Sequence, residues 1–208
     1  MGNAIQSLLE FDKKIYFLFI CLFTFLLLYI KKSFIESEIA AFEILDQKGE
    51  MGLFNLISAL QYLSIPIIYL WKFTITAFVI WIGCFMFGYK ITYSQLWGMV
   101  LVGETVFLIP EILKLTWFFI FVGDPDYFDL RAFTPFSLLQ LFDYKAVVGK
   151  WIYPLKALNI FEIIYWFLLI DALHVLAKKK IQVARYIIFS SYVLFFFIWL
   201  GYYVLVYK

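Results

Sequence analysis

The stretch Ile15–Ile30, IYFLFICLFTFLLLYI, decides the fold class. It carries no charge, and Lys13-Lys14 and Lys31-Lys32 bracket it. A hydrocarbon core of about 30 Å asks for about 20 apolar residues in a helix. This run is short of that, but lysines at both ends can lay their stems along the apolar surface and reach the interfaces. A cleaved signal would end in small residues, not in a lysine pair, so the run reads as a retained first span. Met1-Gly2 suggests myristoylation, but Gln6 stands where that motif wants Ser or Thr.

Outward from this span, the chain keeps the same character. Four further spans are expected at about 66–88, 96–122, 154–177 and 181–206, with 15–30 as the first. Pro110 should kink the third. The whole of 1–208 reads as a single polytopic domain: an all-α membrane protein, a bundle of five transmembrane helices. Leu53–Leu63 leads into the second span.

Two connecting segments stand out. In Ser33–Lys48, Ile35, Ile39, Phe42 and Leu45 recur at helical spacing, with Glu36, Glu38, Glu43, Asp46 and the following Glu50 largely off that stripe. This predicts an acidic amphipathic helix after the first span, a solvated connector or a docking helix, stopped near Gly49 and Gly52. Between the third and fourth spans, Thr134-Pro135 predicts a helix start. Phe136, Leu138, Leu139, Leu141 and Phe142 would then lie on the membrane surface.

Composition agrees. The chain is 65% apolar and 15% charged, where soluble domains average about 45–50% and about 25%. The net charge of +2 argues against a nucleic-acid partner. Cys21 and Cys84 fall inside apolar runs and read as small buried hydrophobes. With one histidine and two cysteines, no metal site or cofactor is expected.

Lysines and arginines orient the bundle. Lys13, Lys14, Lys90, Lys178, Lys179, Lys180 and Arg185 crowd very short segments on one side. The acids of the long loops, including Asp124, Asp126, Asp129 and Asp143, lie on the other. Positive charge in short loops marks the cytoplasmic side. The N-terminus is therefore expected in the cytoplasm and the C-terminus, with Tyr202, Tyr203 and Tyr207 as an aromatic belt, outside.

The stretch from Gly88 to Trp97, GYKITYSQLW, followed by Met99–Glu111 ending in Leu-Ile-Pro-Glu, resembles the Yip1-like family. So does Leu158–Trp166, LNIFEIIYW, where a span is entered through an asparagine–aromatic motif, and the short basic turn Lys178–Ala184. The resemblance covers roughly residues 60–205. It implies five spans, an external C-terminus and no enzymatic activity. Eukaryotic members are linked to vesicle trafficking and small GTPases. The Phe-, Ile- and Lys-rich composition indicates an AT-rich bacterial genome and an inner-membrane location, so the GTPase link is not carried over. The long acidic segment and Asp171, where a small residue is expected, depart from the pattern.

The residues that could carry chemistry are charges inside the spans: Lys72, Glu104, Glu111, Lys114, Glu162, Asp171 and His174. Each costs about 2.5–3.5 kcal/mol on insertion scales unless paired or hydrated. Counting about 1.5 Å per residue from each span's centre sorts them into two layers. Lys72, Glu111, Lys114 and Glu162 fall on the outer side; Glu104, Asp171 and His174 fall toward the cytoplasm. Glu111 is expected to meet Lys114 or Lys72, with Glu162 nearby. Glu104 is expected to meet Asp171, and Asp171 with His174, three apart, could exchange a proton.

Packing ion pairs between helices are one reading of this set; a proton or ion path is another; snorkelling at span ends is a third. Nucleophile, zincin and paired-glutamate motifs do not occur, and Cys21 with His174 shares only depth, so no enzyme is expected. The sequence therefore points to a non-catalytic, Yip1-like subunit, assembly factor or trafficking-type partner in a membrane complex. Its partners would be the lipid bilayer and other membrane proteins or a second copy of itself. The alternative is a small proton- or ion-coupled transporter or channel subunit using the inner carboxylates.

Overall fold

The computed structural model describes residues 12–34, 51–122, 127–178 and 180–207. The described residues are largely helical, and among them five helices are long and apolar enough to cross a membrane: Lys13–Ser33, Leu56–Met86, Tyr93–Phe121, Ile160–Ala177 and Ile181–Val206. The acidic segment after the first span lies outside the described residues, as do Asp124 and Asp126.

Helix α1 is Lys13–Phe34 and α2 is Met51–Met86. The second helix starts well before the expected residue 66 and runs straight through Pro66. Proline leaves the carbonyl four residues back without its helical donor. Two residues before the proline, the Ser64 hydroxyl donates to the Gln61 carbonyl at 2.8 Å. Helix α2 ends in a Schellman motif: Tyr89 N–H reaches the Cys84 carbonyl at 2.8 Å and Gly88 N–H the Phe85 carbonyl at 3.0 Å. The motif needs a left-handed residue, and Gly88 supplies it with φ 71°.

Helix α3, Tyr93–Gly103, opens on a capping box in which Thr92 and Gln95 exchange side-chain and backbone bonds. The third span then changes pitch. A 3-10 turn, Glu104–Phe107, separates α3 from α4, Leu108–Phe121. The expected irregularity at Pro110 is displaced toward the N-terminus. The proline ring clashes with, and cannot bond, the carbonyl of Val106, which lies in the tightened turn.

Helix α5, Tyr127–Ala132, leads into the segment expected to form a surface helix. Only a 3-10 turn, Leu138–Leu141, forms there. Phe136 adopts a left-handed φ of 56°, which no helix accommodates. Leu138 N–H and Ile160 N–H instead tie the segment to the 158–160 strand-like crossing, bonding Leu158 and Phe136 carbonyls. Leu139 is buried, while Phe136, Leu141 and Phe142 are exposed.

Helix α6, Gly149–Ala157, holds Pro154, so the fourth span does not begin there as expected. Asn159 divides the two helices. Its amide donates to the Lys156 and Ala157 carbonyls ending α6, and its Oδ1 accepts from Glu162 N–H at 2.9 Å to start α7, Ile160–Ala177. Lys178, left-handed at φ 51°, makes the turn into α8, Ile181–Ile188. A π turn, Phe189–Val193, then joins α8 to α9, Leu194–Val206.

The core gathers Phe73, Ala77, Ile80 and Cys84 of α2, Leu96 and Met99 of α3, Tyr165 and Leu169 of α7, and Ile187 and Ile188 of α8. Half of the third span's apolar window is buried, against 6% for the first. The third span is thus the bundle's centre and α1 lies at its edge. Cys84 is fully buried as expected of a small hydrophobe, and Cys21 is half-buried; both are free thiols. Gly83 lets two helices close, since a Cβ there would sit 2.7 Å from Ser191 Cβ. At one end, Lys13 donates to Ser94 at the start of α3, which brings the first residues of α1 beside the α2–α3 turn. At the other end, Tyr153 of α6 packs on Tyr203 of α9 at 4.6 Å between ring centroids.

Candidate functional site: a lysine-lined cavity between the helices

A cavity of about 560 Å³ opens between α1, α2, the third span and the 130–159 crossing. Among the described residues four lysines line it, Lys31, Lys72, Lys114 and Lys156, with two glutamates, Glu104 and Glu111. Glu104 enters the core on the 3-10 turn and keeps only 2% of its surface exposed. Lys72 donates to its Oε1, making an ion pair between α2 and the third span. The Lys72 ammonium also lies 4.5 Å from the Phe107 ring centre, a cation–π contact. Glu104 Oε2, fully buried, has no hydrogen-bond partner among the described residues.

Lys114 and Lys156 lie nearer the end that carries the 130–159 crossing. Lys114 is buried and donates to the Leu130 carbonyl, which fixes α5 to α4. Lys156 is exposed by area but ringed by protein atoms. Desolvation by those atoms lowers its pKa below the ordinary lysine value; Glu111 opposes this, and Lys31 and Arg131 add to it. Thr134 and Ser137, both buried and joined hydroxyl to hydroxyl at 2.6 Å, form part of the wall with Asn159.

Of the seven charges singled out in the sequence, four meet here: Lys72, Glu104, Glu111 and Lys114. Their pairing differs from expectation. Lys72 bonds Glu104, Lys114 bonds a backbone carbonyl, and Glu111 makes no hydrogen bond or ion pair among the described residues. Glu162 bonds neither Glu111 nor a lysine. Its Oε1 accepts from Tyr192 Oη at 2.8 Å and from Trp166 Nε1 at 2.9 Å, linking α7 to the π turn.

Asp171 and His174 do not join the cavity. Asp171 lies nine residues beyond Glu162, roughly 13 Å along α7, and makes no hydrogen bond or ion pair among the described residues. Gly103 packs instead against Tyr165 and Leu169. The two-layer estimate erred because the third span is centred at its pitch change, which rotates Glu104 toward α2.

Chain reading missed Lys156, Tyr69, Thr134, Ser137, Trp166 and Tyr192. One signal was available for Lys156. A lysine two residues inside a proposed span argues that the span starts later, at the Asn159 cap. No known family model matches the chain, and neither a curated protein nor a solved structure is significantly similar to it.

Proposed function

We propose that the chain is a non-catalytic multi-pass membrane protein, Yip1-like, acting as a subunit, assembly factor or trafficking-type partner in a membrane complex. One observation carries this reading: polar side chains of different helices bond one another. Lys72 meets Glu104, Glu162 meets Tyr192, Tyr16 meets Thr105 at 2.6 Å and Thr24 meets Tyr69 at 2.9 Å. Such bonds act as glue between spans in lipid. The lipid-facing residues of α1, such as Leu18, Leu22 and Leu26, are left for bilayer or partner helices. The lysines of the short turns support a cytoplasmic N-terminus and an external C-terminus in an inner membrane.

A transporter or channel subunit is the second reading, favoured by one group: Glu104, a cavity residue whose enclosed Oε2 has no hydrogen-bond partner among the described residues. Purification from native membranes with quantified co-purifying proteins tests the choice. A discrete membrane partner at fixed ratio, retained in Glu104→Gln, is expected. Proton uptake by the reconstituted protein under a pH gradient, abolished in Glu104→Gln, would overturn it.

A further inference from the structure

We infer that one end of the bundle, made by the start of α1, the α2–α3 turn and the α7–α8 turn, is a binding surface for anionic phospholipid headgroups. Packing brings these segments together. Gly103 lies against Tyr165 and Leu169, and from there α3 and α7 each run roughly 15 Å to Tyr93 and Ala177. Gly83 lies against Ile187, and α2 and α8 reach Gly88 and Ile181 over similar short lengths. Lys13 bonds Ser94 and adds the first turn of α1. Lys14, Lys90, Lys178, Lys180 and Arg185 are exposed on this end. None of their side chains makes a hydrogen bond or an ion pair among the described residues. Of the described acids, Asp12 accepts from Lys14 N–H at 2.9 Å at the start of α1, and Asp171 lies back inside α7. Glu10 and Lys179, adjoining in sequence, offset one another. The end is therefore cationic on balance.

The surroundings of these cations select a lipid over an acidic partner in water. Ile15 follows Lys14, Phe85 and Met86 end α2 shortly before Lys90, Ile181 follows Lys180, and Tyr186 follows Arg185; all five of these apolar side chains are exposed. Cations at the rim of an exposed apolar surface lie where phosphates sit and acyl chains begin. They also come from three separate stretches of chain, an arrangement that suits several headgroups better than one extended acidic segment. A lysine or arginine near an anionic bilayer surface tightens association by about fivefold. The attraction weakens as salt shortens the Debye length.

The inference rests on the membrane reading, and the two fail separately. Release of the protein from membranes by alkaline carbonate, read before any lipid is added, would sink the membrane reading and this surface with it. The surface is tested on delipidated full-length protein in non-ionic detergent, by thermal unfolding with added lipids. Phosphatidylglycerol should raise Tm at lower concentration than phosphatidylcholine, and added sodium chloride should shrink the difference. These two arms need no variant. Lys90→Gln with Lys180→Gln removes two exposed charges that hold nothing in the fold. The pair should raise the phosphatidylglycerol concentration for half-maximal stabilisation roughly twentyfold, about fivefold for each cation. Lys150→Gln, on α6 at the opposite end, should leave that concentration unchanged. Equal stabilisation of the unaltered protein by the two lipids, or a preference indifferent to salt, would overturn the assignment. So would an unchanged preference in the paired variant, or an equal loss in Lys150→Gln. Soluble polyglutamate that stabilises the protein where phosphatidylglycerol does not would overturn it in favour of an acidic protein partner.

Discussion

Lys72 and Glu104 form an ion pair of unequal partners: the lysine side chain is 43% exposed, the glutamate 3%. Loss of the two partners should therefore not be equivalent. Lys72→Met leaves a carboxylate buried without its cation and should cost about 3–5 kcal/mol. Lys72→Met with Glu104→Leu removes both charges and should recover most of that stability. Thermal unfolding in detergent reads the difference. A double variant as unstable as Lys72→Met would show that packing, not the orphaned charge, is at stake.

Tyr192 is expected to matter through its hydroxyl alone. Tyr192→Phe keeps the ring contact with Tyr165, at 5.5 Å between centroids, but removes the donor to Glu162. A bond to a buried carboxyl acceptor lost in this way should cost about 1–3 kcal/mol. Glu162→Gln, which still accepts, should cost less. Equal stability of Tyr192→Phe and wild type would show that Trp166 satisfies Glu162 by itself.

Gly83 and Ser191 set the distance between α2 and the π turn. Gly83→Ala forces a Cβ to within 2.7 Å of Ser191 Cβ and should destabilise by about 1–3 kcal/mol. Ser191→Gly in the same chain should restore much of the loss. Additive losses in the double variant, measured by unfolding, would contradict a direct clash.

Lys156 should lose its proton at a lower pH than a free lysine side chain, because its pKa is lowered. At any pH below the ordinary value, more of it is the neutral, nucleophilic amine. Acylating reagents at mildly alkaline pH should thus modify Lys156 more fully than a lysine model peptide of equal accessibility. Mass-spectrometric occupancy across a pH series checks this; a Lys156 curve displaced to higher pH would refute it.

Orientation can be read by labelling. Cysteines replacing Lys180 and Tyr207 should be reached from opposite sides by an impermeant thiol reagent, with Cys84 silent because it is buried. Labelling of both from one side would exclude five crossings.

Helical class and the number of long apolar helices were legible because they depend on runs of residue type, which a chain states directly. The start of α7 was less so. Pro154 looked like an entry point, but Asn159, able to accept from Glu162 N–H and to donate to two carbonyls, outcompetes it. Half of the candidate site was legible, since Lys72, Glu104, Glu111 and Lys114 are conspicuous in apolar surroundings. Their partners were not. Depth along a helix is countable, but azimuth depends on pitch, and the 3-10 turn at Glu104–Phe107 altered it. Tyr192 and Trp166 were hidden among many aromatics, and only a fold distinguishes those that bond a carboxylate.

The π turn at Phe189–Val193 has a consequence for how the last helix tolerates change. A π turn accommodates one residue more than an α turn, so the faces on either side of it are out of phase by about 100°. Upstream, Ala184 and Ile187 point to the core; downstream, Trp199 reaches Tyr153 at 3.2 Å. Removing one residue between 189 and 193 would let the α ladder run on unbroken. The tail would then turn about its own axis, swinging Trp199 off Tyr153 and out of the C-terminal aromatic contacts. For this segment a one-codon deletion acts as a rotation of thirteen residues rather than a shortening by one.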